Sequence, residues 1–159
     1  MKIIQVLLLC SISFSIFAEK VPRQKVYIKG LVKAEKTYKM NELSTLPQIE
    51  IKIIDPYSKN QEINFKGVLL SEIFRIHASK AAKKIRVIAI NDYKVEIPIE
   101  LAKKEKMILA YRGDGKYLSV SNRGPARIVI PGKGILDEGS LANAGLNWVW
   151  FVKTIEFIK

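Results

Sequence analysis

"SNRGPARIVIPGKG" (residues 121–134) sets an arginine where a hydrophobe packs more easily. Arg127 stands within the run Ala126, Ile128, Val129, Ile130, directly after Gly124-Pro125. The run reads as a buried strand, and an unpaired charge buried there costs on the order of several kcal/mol. Two arrangements resolve the conflict. Arg127 lies on the open face of an edge strand or pairs with a carboxylate such as Asp92; or it points from the strand into a polar pocket.

The segments around this run alternate mainly as strands. "QKVYIKGLV" (24–32), "QIEIKIID" (48–55), "QEINFKG" (61–67), "IRVIAIND" (85–92), "KVEIP" (94–98), "MILAY" (107–111) and the closing "WVWFVKTIEFI" read as strands. In "QIEIKIID", Ile49, Ile51 and Ile53 share one face, and Pro56 stops the run. "KTYKMNELSTLP" (36–47) gives a short strand, then Asn41 as a cap for one helical turn. "VLLSEIFRIHA" (68–78) is amphipathic at helical spacing, and "PIELAKKE" (98–105) opens a short helix on Pro98. "RGDGK" (112–116) is a turn. No repeat, low-complexity tract or linker divides the chain. The expectation is one α+β domain with a mixed or mainly antiparallel sheet.

The 159 residues suit a single domain, and a 48% hydrophobic content can fill its core. "MKIIQVLLLCSISFSIFA" (1–18) has a lysine, an apolar stretch and a small residue at Ala18. It reads as a cleaved secretory signal peptide, with the domain at 19–159 and a periplasmic location. The alternative is a retained anchor, but the stretch is shorter than the roughly 20 apolar residues of a membrane span. Cys10 is the only cysteine, and Leu7-Leu8-Leu9 before it lack the small residue a lipidation site wants. Cleavage would leave no thiolate for disulfides, nucleophilic catalysis or metal binding. The formal charge is +12. Such a basic excess can mean nucleic acid or an anionic membrane surface. With the lysines largely scattered and the chain exported, solvated faces explain it better, and nucleic acid is not expected as a partner.

Four segments, in order, resemble the molybdopterin-binding domain of the sulfite oxidase family: "INFKGVLLSEIF" (63–74), "AINDYKVEIPIE" (89–100), "MILAYRGDGKYLSVSNRGPARIVIP" (107–131) and "NWVWFVKTIEFI" (147–158). The resemblance covers most of residues 25–158 and implies the sulfite oxidase-type fold, with mixed or antiparallel sheets and short helices. Catalytic members carry a metal-binding cysteine about four residues before an aromatic. Here the aromatic is Tyr57 and the corresponding position is Ile53, which offers a metal no lone pair. Asp55 is the nearby residue that can replace it in principle. Molybdenum is therefore not expected, whereas a pterin or molybdopterin-like ligand is. The resemblance to small cysteine-less members implies an exported pterin-binding protein, acting as ligand-dependent partner of a membrane receptor with a periplasmic domain and linked to cyclic di-GMP control. The alternatives are a molybdenum-cofactor oxidoreductase with an unusual metal ligand and an inert interaction domain.

A pterin is flat and polar-edged, so its site needs stacking planes together with donors and acceptors. Arg127 supplies a planar fork of five donors, and in the family the arginine of Gly-Pro-x-Arg faces the pocket. Tyr57 can stack on the ring or half-cover the core. Asp92 can accept from a pterin amino group or be a plain turn residue, and Tyr93 follows it at a strand end. Asn122, in "SNRG", lies either near ligand or in a surface turn. The glycine-rich loop 132–147 can form a lid, with Asp137 or Glu138 facing ligand. It is not a P-loop, since the Gly-x4-Gly-Lys-Ser/Thr spacing is absent. Trp148 and Trp150, two apart on an expected strand, read as core residues. His77, the only histidine, reads as a helix-face residue.

Overall fold

The computed structural model describes residues 19–133 and 147–159. The expected leader with Cys10, and Asp137 and Glu138 of the expected lid, lie outside these residues. In chain order the strands are β1 (Lys25–Gly30), β2 (Lys36–Lys39), β3 (Ile49–Asp55), β4 (Gln61–Leu69) and β5 (Lys84–Ala89). They continue with β6 (Lys94–Pro98), β7 (Ile108–Gly113), β8 (Lys116–Tyr117), β9 (Arg127–Val129) and β10 (Val152–Ile158). Two helices interrupt them, α1 (Leu70–His77) and α2 (Ile99–Lys104).

The first sheet has the order β2-β1-β10-β5-β6. Only its β1–β10 pair is parallel, with Tyr27 opposite Thr154; the other pairs are antiparallel. The second sheet runs β3-β4-β7 and is antiparallel. The far edge of β7 is shared: β9 pairs with Ile108, Leu109 and Ala110, and β8 with Arg112 and Gly113. The inward residues of both sheets form one core, including Ile28, Val87 and Phe157 from the first and Ile53, Phe65 and Ile128 from the second. The α+β expectation with mixed sheets holds.

Local chemistry explains most boundaries. β7 and β8 join through Asp114-Gly115, both at positive φ (48° and 78°), the Asp-Gly pattern of a two-residue hairpin. Gly67 sits at a register shift between β4 and β7, where an added Cβ would lie 2.2 Å from the Leu109 carbonyl oxygen. Pro98 caps α2, and Met107, Ile108, Leu109 and Ala110 are buried throughout.

Several boundaries differ from the sequence reading. α1 starts at Leu70, not 68, because β4 continues to Leu69 to pair with Ile108. Asn41 makes no side-chain cap. Its own backbone is helical, and its carbonyl accepts from Ser44 Oγ at 2.6 Å. The turn it opens is a short 3-10 turn, Glu42–Thr45. The closing strand begins at Val152, leaving Trp148–Phe151 outside it. That segment is pinned from both sides: Ile128 N–H donates to Val149 O at 2.7 Å, and Ile90 N–H donates to Phe151 O at 2.9 Å.

Candidate functional site

Arg127 is buried, with 1% of its side chain exposed, and it is paired. Its Nη1 and Nη2 donate to Asp55 Oδ2 and Oδ1 at 2.8 and 3.1 Å. Arg127 opens β9 and Asp55 ends β3, on opposite flanks of the second sheet. The guanidinium carbon lies 5.5 Å from the Phe65 ring centroid and 5.7 Å from that of Trp148, within cation–π range. The carboxylate expected as a partner, Asp92, is instead an exposed turn residue at φ 62°. Both sequence alternatives were partly right: Arg127 is ion-paired and also lines a cavity.

Asp55 is buried by the same alternation that turns Ile53 inward. Besides Arg127, it accepts from Ser58 Oγ at 2.7 Å and Tyr57 N–H at 3.1 Å. Each carboxylate oxygen thus takes two bonds, which fills the four lone-pair positions of the group. Burial presses the carboxyl pKa upward, but the bonds from Arg127, Ser58 and Tyr57 outweigh burial and hold it below the usual carboxylate range.

The Asp55-centred turn presents Tyr57 to an aromatic cluster. Its ring meets Trp150 edge-on at 4.8 Å and Trp148 at 5.8 Å between centroids. These three rings, with Ala89, Asn91, Tyr93 and Phe151, line a cavity of about 280 Å³. Phe151 holds φ at 53°, an uncommon backbone state for a non-glycine residue. The indole Nε1 atoms of Trp148 and Trp150 are buried and find no acceptor among the described residues. Leaving such a donor unpaired costs ~1–3 kcal/mol. Burial raises the Tyr57 hydroxyl above the usual phenol range, so it remains a neutral donor.

A second, more polar cavity of about 360 Å³ lies beside the turn, lined in part by Ser58, Gln61, Asp114, Asn122 and Arg127. The Nε of Arg127 is buried and unpartnered. Arg123 touches the walls of both cavities. Its guanidinium carbon lies 4.9 Å from the Trp150 centroid and 5.6 Å from that of Tyr57. Its Nη1 donates to Ser58 Oγ at 3.4 Å and its Nη2 donates to the Tyr57 carbonyl.

The expected site residues therefore divide. Tyr57 and Tyr93 share the aromatic cavity, while Arg127 and Asn122 share the polar one. Asp92 lines neither, and Asp137 lies outside the described residues. Reading Trp148 and Trp150 simply as core was incomplete: Trp148 is buried and Trp150 half-buried, yet both wall the aromatic cavity. The sequence reading also missed Asn91, Arg123 and Asp55 as the partner of Arg127. Asp55 had a signal, its phase in the β3 alternation; Arg123 had none.

This arrangement can bind a flat heterocycle. It offers aromatic walls and the mixed donor and acceptor amide of Asn91. Its donor set suits a metal poorly. Asp55 has no free lone-pair position, and Ile53 is 3% exposed and apolar.

The model of the oxidoreductase molybdopterin binding domain family matches residues 17–158. A solved structure of the sulfane dehydrogenase SoxCD from Paracoccus pantotrophus superposes with a TM-score of 0.62 at 18% identity, over 84% of this chain. The chain spans 38% of the length of that structure's chain, and at this identity the likeness is one of fold. Among curated proteins none is similar enough to be matched.

Proposed function

Because the chain belongs to the oxidoreductase molybdopterin-binding domain family, we propose that it binds the pterin part of a molybdopterin-like ligand without metal-centred redox chemistry. The observation that carries this reading is the cavity of about 280 Å³ walled by the rings of Tyr57, Trp148 and Trp150. Tyr57, Trp148 and Trp150 supply apolar and edge-on contacts to a flat ring, and Asn91 supplies hydrogen bonds to its edge.

Asp55 and Arg127 act as positioning residues. The ion pair fixes the turn that carries Tyr57, through the bond from Tyr57 N–H to Asp55 Oδ1. Arg123 holds the same turn from outside through the Tyr57 carbonyl. A molybdopterin that carries a metal supplies redox chemistry at that metal. The commitment of all Asp55 lone pairs, and the apolar Ile53, support a chain that binds the organic part alone.

The rest of the reading follows from the family resemblance: export to the periplasm, and transfer of ligand state to a membrane receptor in cyclic di-GMP control. The test is to purify the protein from a host competent for molybdenum cofactor synthesis, denature it and analyse the supernatant. Pterin found by mass spectrometry, without stoichiometric molybdenum by elemental analysis, is the expected result. Molybdenum at one atom per chain would overturn the metal-free reading, and the absence of any pterin would count against the ligand.

A further inference from the structure

The first sheet turns one face into the core and leaves the other uncovered by any described element. Cross-strand register shows which side chains share the open face. Lys25 lies opposite Lys39, Tyr27 opposite Thr37 and Thr154, and Lys29 opposite Glu156. Further along, Glu156 lies opposite Arg86, Arg86 opposite Glu96, and Ile88 opposite Lys94. Residues opposite each other in a sheet project to the same side. The face therefore carries Lys25, Lys29, Lys39, Lys84, Arg86 and Lys94 across four of its five strands, with the exposed ring of Tyr27 between Lys25 and Lys29 on β1.

Among the described strand residues the carboxylates on this face are Glu96 and Glu156, and both bind Arg86, at 2.6 and 3.0 Å. Glu96 also meets Lys84 at 3.9 Å, and Glu35 lies beside Tyr27 and Lys29 at the rim. Lys39 meets Glu42 at 3.7 Å. Among the described residues Lys25, Lys29 and Lys94 form no ion pair.

Two ordinary explanations for surface lysines fall short here. Lysine on an edge strand deters sheet-to-sheet aggregation, but Lys25, Lys29, Lys84 and Arg86 stand on β1 and β5, which are interior strands. Solubility asks for mixed signs, whereas Lys25 and Lys39 are directly opposed, and like charges so placed are destabilising. A planar anionic surface laid over the face would relieve that repulsion and neutralise the unpaired lysines together. Tyr27, exposed on β1 between Lys25 and Lys29, is an amphipathic ring suited to a headgroup layer.

We infer that this open sheet face docks on an anionic phospholipid surface. The occupant is a membrane plane rather than a discrete acidic peptide, because the cations are spread over several strands and converge on no single point. The inference stands on the charge pattern of the sheet and is independent of what the aromatic cavity holds.

The test is sedimentation of the purified protein, its N-terminus defined by mass spectrometry, with vesicles of phosphatidylcholine alone or with about 30% phosphatidylglycerol. Binding is expected only to the anionic vesicles, and is expected to disappear as salt rises from about 50 to about 500 mM. The variant Lys25→Glu/Lys29→Glu/Lys94→Glu should bind at least about tenfold more weakly. The variant Lys80→Glu/Lys104→Glu/Lys106→Glu, with the same net charge, should change by less than about threefold. Lys25→Glu faces Lys39, so the first variant should fold; if it does not, the corresponding Lys→Gln variant replaces it. Equal losses in the two variants would show that net charge alone acts. Retention on immobilised polyglutamate without vesicle binding would assign the face to an acidic protein. Either result, or no binding to anionic vesicles at all, overturns the inference.

Discussion

Arg127 and Asp55, 72 residues apart in sequence, form a two-pronged ion pair at 2.8 and 3.1 Å with almost no exposure. Removing one partner strands a buried charge. Asp55→Ala should therefore destabilise the protein by ~3–5 kcal/mol, read from urea unfolding. Replacing both residues together, Asp55→Leu with Arg127→Met, should recover more than half of that loss, because a buried pair can often be exchanged for packed hydrophobes. A double variant no more stable than the single one would deny the pairwise coupling.

The same pair sets an acid limit. The Asp55 pKa is depressed in the fold, so the unfolded chain binds a proton that the native chain refuses. Its stabilising contribution is fully present above the unfolded value near 3.8 and is lost as pH falls through the lower native value. Melting temperatures should decline below about pH 4, and Asp55→Asn should show a shallower decline from a lower starting point. Parallel declines in the two proteins would remove Asp55 from the acid transition.

His77 should act at milder pH. It is buried beneath Tyr38, whose hydroxyl lies 3.0 Å from its Nε2. Burial, then Lys33 and Lys36, hold its pKa below the usual 6.5. The native state thus prefers the neutral ring, and protonation opposes folding. Stability present above about pH 6.5 should fall as pH drops through that value toward the lower native pKa. Melting temperature between pH 8 and 5 should show this drop in the parent protein and a flatter profile in His77→Gln. An unchanged slope in the variant would contradict the assignment.

Tyr57 should matter to ligand more than to fold. It is half-buried and touches both tryptophans of the cavity. Tyr57→Ala should weaken pterin affinity by about tenfold, equivalent to ~1.4 kcal/mol, as measured by calorimetry. Arg123→Ala, which frees the Tyr57 turn without removing the ring, should weaken it by a smaller factor. The reverse order would make Arg123 the principal contact.

Much of the fold was legible because alternation is a local signal. Ile49, Ile51 and Ile53 placed β3 correctly, and the ordered segments from "INFKGVLLSEIF" to "NWVWFVKTIEFI" carried the family. The site was legible only in pieces. Tyr57, Tyr93, Asn122 and Arg127 were singled out, but their division between two cavities depends on how the Asp55–Ser58 turn folds against residues 147–151. The partner of Arg127 was misread because Asp92 and Asp55 look equally available in a sequence. What separates them is a tertiary pairing that spans 72 residues. The tryptophans were read as strand core because i, i+2 spacing resembles a strand. Their segment is instead held by single hydrogen bonds to Ile128 and Ile90, which leaves both rings against the cavity.

The two tryptophans of the chain both wall the aromatic cavity, so intrinsic tryptophan fluorescence reports on that site. The most direct measurement is titration of the ligand-free protein with neopterin while following that emission, in the parent and in Tyr57→Ala. The account predicts saturable quenching in the parent, with the midpoint shifted to about tenfold higher concentration in the variant. Quenching that never saturates, or a midpoint unchanged by Tyr57→Ala, would contradict a pterin site in this cavity.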